Sequence, residues 1–414
     1  MTQLPDEQKR GVIADLSPVK SILMMIALLS ATLGMCGDAL ITPGADQMFK
    51  HYDDEAFVNF LLSGPNLVSM FASIIAGIIQ RYVDKKKVLL LGMALFVVGG
   101  TLGTAIDSQA YMIFMRCLVG LALGFTNVTA MSIVTTMYSN ENRRSRMIGI
   151  INAGMFCSAM LLTAISGWVC EMYGWPAMFY IYSIGIISII LILVFIPKIP
   201  ADINISEDES QGPESGVRNW KFKLALMCIG YFIFQVSYAV IPFFISVYAD
   251  ETGLGGPAFA GQLTAALFGG ALVASLCFGF VYPKLKRHSM TLSMALLIVG
   301  YAILLLAPSV APVLIGCIIF GYANANAFSQ ALMRAGIVAP KKNASLAVGI
   351  TAAVMGFGFF CATFTVSGLK AAIGVDILIP IMPVILVVNI VLVIVSFIYI
   401  TITNRKEKAE VEAA

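Results

Sequence analysis

Charged residues are scarce in this 414-residue chain, in which only 12% of the residues are Asp, Glu, Lys or Arg. A soluble globular chain carries about a quarter charged residues, which keep its surface wet. Histidine is rarer still, because His51 and His288 are the only two and lie in separate polar loops. The sequence has no H-E-x-x-H pattern and no Gly-rich phosphate loop, which argues against a membrane-embedded enzyme and against an ATP-driven pump. We therefore expect no enzyme activity, no metal and no cofactor.

Cysteine spacing argues against metal and redox sites, whereas the net charge is uninformative about partners. The eight cysteines follow neither a metal-binding nor a redox spacing, and we interpret them as small apolar fillers of buried helices. They are Cys36, Cys117, Cys157, Cys170, Cys228, Cys277, Cys317 and Cys361. A net charge of only +3 gives no indication of a nucleic-acid partner.

What the chain has in abundance is apolar sequence, with 59% hydrophobic residues and a mean hydropathy of +0.89. Runs of about 20 apolar residues, the length that spans a bilayer, recur along the sequence. Segment 184–196 is continuously apolar, without the alternation of a membrane β-strand. The fold class predicted is an all-α polytopic membrane protein with twelve spans. These are 20–43, 56–80, 87–106, 110–137, 145–170, 176–197, 220–249, 257–282, 288–307, 311–338, 344–370 and 376–402.

The distribution of basic residues predicts the orientation. All but three of the 26 Lys and Arg residues fall on one side of the predicted spans, the exceptions being Lys50, Lys370 and Arg116. Because basic loops stay in the cytoplasm, we expect both termini to be cytoplasmic and the chain to cross the cell's inner (plasma) membrane an even number of times.

The longest interior polar segment, 198–219, has the composition of a cytoplasmic linker. It predicts two bundles of six helices, 1–197 and 220–414. The halves share spacings: segment 117–149 begins with Cys and ends with Gly, and so does 317–349. Two parallel six-helix repeats place a binding site between them near the middle of the membrane.

The loop after the second predicted span carries a family resemblance. It reads Gly-Ile-Ile-Gln-Arg-Tyr-Val-Asp-Lys-Lys-Lys over 77–87, which resembles the G-x-L-A-D-R-x-G-R-K loop of the major facilitator superfamily. Arg81 stands at the family's Asp position and Asp84 at its second Gly. The resemblance implies a cytoplasmic gate that latches the two halves. Its candidate residues are Gly77, Arg81, Asp84, Lys85 and Lys86. The alternative is that these basic residues only enforce topology.

The fourth predicted span holds Arg116, Gly120 and Gly124, which form one stripe of a helix. Arg116 and Gly120 resemble the family's R-x-x-x-G element, and the resemblance implies a role for Arg116 in proton coupling. The two glycines indicate a close helix contact. Because an intramembrane Arg is costly unless it is paired or hydrated, we expect it to face the protein interior. The alternative is that Arg116 snorkels to the near interface.

Asp38 is the only acidic residue well inside a predicted span. The proton affinity of a carboxyl group at membrane depth responds to desolvation and to nearby cations, which suits a group that binds and releases a proton during transport. We predict Asp38 as the titrating group and Arg116 as its electrostatic partner. The alternative is a fixed ion pair or a polar packing residue.

The fifth predicted span lacks a signature of the superfamily's drug/proton antiporters. Gly174, Trp175 and Phe179 resemble the G-W-x-x-x-F that opens the sixth span in many members. Counting back, the G-P-x-x-G-G pattern of the antiporters would fall on 162–167, where the sequence reads Leu-Thr-Ala-Ile-Ser-Gly. The missing Gly-Pro pair weakens an antiporter assignment without excluding it.

Polar side chains at membrane depth are the candidates for a substrate cavity. They are Asn127, Asn152, Gln235, Tyr238, Gln262, Asn324, Asn326 and Gln330. Each amide could equally tie two helices together. The function predicted is a proton-coupled secondary transporter of a small organic molecule, partnered by protons and the lipid bilayer and able to work as a monomer. Export of amphipathic or cationic compounds is favoured, and uptake of a neutral or anionic metabolite is the alternative. A channel and a transporter-like receptor are less favoured.

Overall fold

The computed structural model describes residues 18–80, 82–137, 141–199, 219–285, 288–339 and 344–412, and every regular element in these ranges is a helix. Ten of these helices are long and apolar enough to cross a membrane, and the bent pair Val19–Met35 and Ala39–His51 gives an eleventh span. Helix Lys85–Thr101 has 17 residues, which is the lower end of the length that crosses a hydrocarbon core. The predicted all-α, twelve-span fold is confirmed.

The chain divides into two compact units, Met1–Ser206 and Glu207–Ala414. The first contains α1 (Pro18–Ser30), α2 (Ala45–His51), α3 (Glu55–Ile79), α4 (Lys85–Thr101), α5 (Gln109–Met137), α6 (Glu141–Tyr173) and α7 (Gly185–Phe195). The second contains α8 (Trp220–Glu251), α9 (Pro257–Leu285), α10 (His288–Leu306), α11 (Val310–Val338), α12 (Ala344–Ile373) and α13 (Met382–Glu412). Four 3-10 helices complete these elements: Ala31–Met35, Ala39–Gly44, Trp175–Ile184 and Ile379–Ile381. Most of the predicted linker, 200–218, lies outside the described residues.

The first span is broken rather than continuous, which corrects the single helix predicted over 20–43. Two 3-10 helices, Ala31–Met35 and Ala39–Gly44, separate α1 from α2, and the two halves of the span meet at 45°. Pro43 lies inside the second 3-10 helix, where it supplies no backbone N–H donor. In a 3-10 helix the missing donor is the one that the Leu40 carbonyl, three residues earlier, would receive, and Ser166 Oγ donates to that carbonyl instead. Thr42 Oγ1 donates to the neighbouring Ala39 carbonyl at 2.9 Å.

A glycine stripe brings α5 against α3 in the first unit. A Cβ atom added to Gly120 would lie 2.7 Å from the Pro65 carbonyl oxygen, and one added to Gly124 would lie 2.7 Å from the Ser73 nitrogen. In the second unit, Gly321 of α11 approaches α9 in the same way, since a Cβ atom added to it would lie 1.7 Å from the Leu267 carbonyl oxygen. Glycine is therefore required at these positions because the opposing atoms belong to the backbone.

We expect Gly124→Ala to lower the melting temperature of the purified protein, because the added methyl meets backbone atoms that cannot move aside. Overpacking of this kind costs about 1–3 kcal/mol. Gly149→Ala is the matched control, since a Cβ atom there would meet nothing within 4 Å and Ala favours a helix over Gly. Equal melting temperatures for the two variants would contradict the packing account.

Candidate coupling site

The Asp38 side chain lies at the break of the first span, between its two 3-10 helices. It is partly buried, and its Oδ2 accepts a hydrogen bond of 3.0 Å from Nδ2 of Asn66. Asn66 belongs to α3 and is also partly exposed. The carboxylate predicted to titrate is therefore held by a neutral amide.

Arg116 of α5 is completely buried, with 0% of its side chain exposed. Its Nε donates to the Leu61 carbonyl at 2.7 Å, its Nη1 donates to the Tyr182 hydroxyl at 3.0 Å, and its Nη2 approaches the Asp38 carbonyl at 3.5 Å. The guanidinium thus contacts the backbone of Asp38, whose carboxylate bonds to Asn66. These contacts contradict the snorkelling alternative, because the guanidinium ends in the protein interior.

The acceptor at Leu61 is available because of Pro65, which lies inside α3. A proline in a helix supplies no N–H to the carbonyl four residues earlier, which here is that of Leu61. A buried carbonyl without a donor is costly, and Arg116 Nε supplies one. Arg116 of α5 is therefore bonded to the carbonyl of α3 that Pro65 leaves without a helical donor.

Tyr182 completes the site and was not among the sequence candidates. It lies in the 3-10 helix Trp175–Ile184 and is completely buried, with its ring centroid 5.0 Å from that of Phe96 and the two ring planes at 52°. Its hydroxyl accepts from Arg116 Nη1 and donates to the Gly37 carbonyl. Gly100 leaves room for the Tyr182 ring, since a Cβ atom added to Gly100 would lie 2.0 Å from the Tyr182 Cγ. Tyr182 and Arg116 together hold the carbonyls of Gly37 and Asp38, which belong to the peptide groups before and after the Asp38 Cα.

The polar residues predicted to line a cavity divide by burial. Four of them are buried within the second unit: Gln235, Tyr238, Asn326 and Gln330. Two are exposed, Asn127 and Gln262, and two are partly exposed, Asn152 and Asn324. Gln235 Nε2 donates to the Tyr231 hydroxyl at 2.6 Å, and the Tyr238 ring lies 5.8 Å from that of Phe359.

Asn326 ties two helices together. Its Nδ2 donates to the Ser289 carbonyl at 3.0 Å and to Ser293 Oγ at 2.7 Å, so that it joins α11 to α10. With 1% of the side chain exposed and its donors used, we assign Asn326 to helix packing instead of the predicted cavity. Its spacing with Gln330 could not have distinguished the two roles.

The predicted gate residues sit around the start of α4. Arg81 lies outside the described residues, and Gly77 has open space beside it. Asp84 Oδ1 accepts from the backbone N–H of Lys86 at 2.9 Å and of Ile199 at 3.3 Å, so it caps α4 and holds the chain leaving the sixth span.

The two lysines of the predicted gate also bond to the end of the sixth span. The Lys85 N–H donates to the Ile199 carbonyl at 3.1 Å, and Lys86 Nζ donates to the Leu193 carbonyl at 2.9 Å. The basic loop is therefore attached to the sixth span of its own unit. In the part of the chain that the structure describes, no cluster of three or more His, Cys, Asp or Glu could hold a metal ion.

Comparison with known proteins gives the family. A family model described as Major Facilitator Superfamily matches residues 27–363. The chain belongs to the Major Facilitator Superfamily. Two crystal structures share its fold: a mutant of the nucleoside transporter NupG, with a TM-score of 0.73, and a bacterial homolog of the human lysosomal transporter Spinster, with 0.69. Each is 14% identical to this superfamily member. The NupG alignment covers 91% of this chain and 99% of NupG, and the Spinster homolog alignment covers 92% of this chain and 96% of that homolog.

Curated relatives in the superfamily align over shorter stretches. The methylenomycin A resistance protein of Bacillus subtilis (strain 168) is 25% identical over 242 residues, which cover 53% of this chain and 49% of that protein. The riboflavin transporter RibZ of Clostridioides difficile (strain 630) is 25% identical over 142 residues, which cover 34% of this chain and 31% of RibZ. The chain thus matches half or less of the length of these two relatives.

Proposed function

We propose that this member of the Major Facilitator Superfamily is a proton-coupled secondary transporter of a small organic molecule and that Asp38 binds and releases the proton. The observation that carries the proposal is the pairing of the Asp38 carboxylate with the neutral Asn66 amide at 3.0 Å, at the break of a membrane span. A charged group at membrane depth is a functional candidate by default, because its desolvation is costly.

Asn66 suits a carboxyl group that changes its protonation state. An amide can donate N–H to a carboxylate, and its carbonyl oxygen can accept the O–H of the protonated acid. A direct ion pair would instead favour the ionised form alone. Because Arg116 is bonded to the Leu61 carbonyl and the Tyr182 hydroxyl, it contributes a fixed positive charge near Asp38 without occupying the carboxylate.

Export of amphipathic or cationic compounds is the direction we favour. A lone intramembrane acid suits the exchange of a proton for a cation, and one relative is named as a methylenomycin A resistance protein. Uptake of a neutral or anionic metabolite is the second candidate. It is favoured by the missing Gly-Pro signature and by relatives and structural neighbours named as riboflavin and nucleoside transporters.

Proteoliposomes that contain the purified protein and an internal pH dye would test both candidates. We expect a gradient of a lipophilic cation such as tetraphenylphosphonium to move protons in the opposite direction. Proton movement together with a neutral or anionic metabolite would instead establish uptake. If neither class of compound moves protons, the proposed coupling is wrong.

The topology proposed with this function has two halves, 1–197 and 220–414, joined by a cytoplasmic linker at 198–219. Both termini face the cytoplasm, and the transporter works in the cell's inner (plasma) membrane as a monomer. The orientation is supported by the distribution of basic residues in the loops. A variant without the eight native cysteines, carrying one cysteine near either terminus, would test this orientation. A membrane-impermeant thiol reagent should label it only after the cells are permeabilised, and labelling of intact cells would contradict the orientation.

A further inference from the structure

The two units share a short motif where the last span of each begins. The first unit has Trp-Pro-Ala-Met at 175–178, and the second has Ile-Pro-Ile-Met at 379–382. Both motifs open a 3-10 helix with proline in its first turn. The first N–H groups of a helix have no acceptor within the helix, so each motif needs an acceptor from elsewhere.

In both units the acceptor is a side chain from the end of the first span. Gln47 accepts from the Trp175 N–H, and Glu251 accepts from the Ile379 N–H; each pair is separated by 128 residues of sequence. The equal separation and the shared motif make Gln47 and Glu251 equivalent residues of the repeat. Each side chain therefore links the first span of its unit to the last span, on the membrane face predicted to be external. We call these two links the external ties.

The chemistry of the two ties differs. Gln47 Oε1 accepts from the Trp175 N–H at 3.0 Å and contacts Cys170 Sγ at 3.5 Å. Glu251 uses both carboxylate oxygens: Oε1 accepts from the Leu378 N–H at 2.6 Å and Oε2 from the Ile379 N–H at 3.1 Å. Hydrogen bonds to a charged acceptor are roughly twice as strong as neutral ones, and a negative charge at a helix N-terminus is favourable.

We propose that Glu251 makes the external tie of the second unit sensitive to protonation, whereas Gln47 keeps the equivalent tie of the first unit insensitive to pH. Protonation removes the negative charge and turns one acceptor oxygen into a hydroxyl donor. The start of the last span, at Leu378 and Ile379, is then held less firmly. This inference goes beyond the proposed transport and does not depend on Asp38 as the coupling site.

The other charged groups near this tie are few. Asp250 precedes Glu251 on α8, Lys370 lies in the last turn of α12, and Asp376 comes two residues before Leu378. The adjoining ends of α9, α11 and α13, at 257–262, 310–315 and 382–387, carry no charged residue. Because all three charged groups remain in Glu251→Gln, a pH effect that they caused would persist in that variant.

Amide hydrogen exchange of the full-length protein in lipid nanodiscs would test the proposal. Exchange would be followed by mass spectrometry from about pH 2.5 to 7.5, so that the lowest pH lies more than one unit below the ordinary pKa of a carboxylic acid, and corrected for the intrinsic rate at each pH. In the wild type we expect protection at Leu378 and Ile379 to fall about tenfold on acidification, as charged hydrogen bonds become neutral or are lost. Protection at Trp175 should stay constant and serves as the internal control.

Reciprocal substitutions sharpen the test. Glu251→Gln should make protection at Leu378 and Ile379 independent of pH, and Gln47→Glu should confer pH dependence on Trp175. The proposal is overturned if the wild type shows no pH dependence at Leu378 and Ile379, or if Glu251→Gln retains it. A parallel loss at Trp175 in the wild type would also overturn it, because that pattern indicates general opening of the protein.

Discussion

Replacing Asp38 with Asn is expected to reduce pH-gradient-driven accumulation of substrate in proteoliposomes to the level of protein-free liposomes. Asn has nearly the same size as Asp and can still form a hydrogen bond with Asn66, but it binds no proton. Exchange of labelled for unlabelled substrate needs no net proton movement, so we expect it to survive. The measurement is uptake of labelled tetraphenylphosphonium with and without an imposed pH gradient.

Asp46→Asn is the matched control for this experiment. Asp46 lies in the same broken span, but its carboxylate forms an ion pair of 3.0 Å with Lys50, whose side chain is 60% exposed. The Asp46 side chain is 17% exposed, so the pair is partly exposed to solvent. An ion pair that solvent screens on one side contributes about 1 kcal/mol or less, and this variant should accumulate substrate as the wild type does. Undiminished accumulation in Asp38→Asn, or an equal loss in both variants, would remove Asp38 from the proposed role.

Replacing Arg116 with Ala is expected to cause the largest loss of stability among these variants. The change leaves the Leu61 carbonyl without its donor and removes one bond from the Tyr182 hydroxyl, in a site where Arg116 is fully buried. Each buried polar group left unsatisfied costs about 1–3 kcal/mol. Thermal unfolding in detergent measures the loss, and transport of any folded fraction shows whether coupling is lost as well.

Tyr182→Phe separates the hydrogen bonds from the charge, because the guanidinium remains. We expect a smaller drop in melting temperature than for Arg116→Ala, since only the hydroxyl contacts with Arg116 and the Gly37 carbonyl are removed. Tyr180→Phe is the control in the same 3-10 helix, because its side chain is 64% exposed and should leave the melting temperature unchanged. A Tyr182→Phe protein as stable as the control would contradict the role assigned to that hydroxyl.

The architecture was accessible from the sequence because membrane thickness imposes a length on each apolar run. Apolar segments longer than about 17 residues predicted the spans that the helices now occupy. The stripe of Gly120 and Gly124 indicated a close helix contact, and both glycines lie against α3. Arg116 was expected to face the interior because hydrocarbon does not accept a charge, and it is fully buried.

The partners within the site were not accessible in the same way. Asn66 and Tyr182 come from separate helices, and no spacing in the sequence links either one to Asp38 or Arg116. Pro65 was a missed signal, because a proline inside a membrane helix releases the carbonyl four residues earlier, which marks Leu61 as needing a donor. The break at Asp38 was missed because continuous hydropathy does not distinguish an α-helix from a 3-10 helix.

The most direct test of Asp38 as the exchange site is proton release on substrate binding. Tetraphenylphosphonium would be added to weakly buffered, detergent-solubilised protein, and the released protons recorded with a pH-indicator dye. Because coupling between two ligands is reciprocal, we expect the wild type and Asp46→Asn to release about one proton per bound cation and Asp38→Asn to release none. Equal proton release from Asp38→Asn and the wild type would contradict the account, as would cation binding by the wild type without any release.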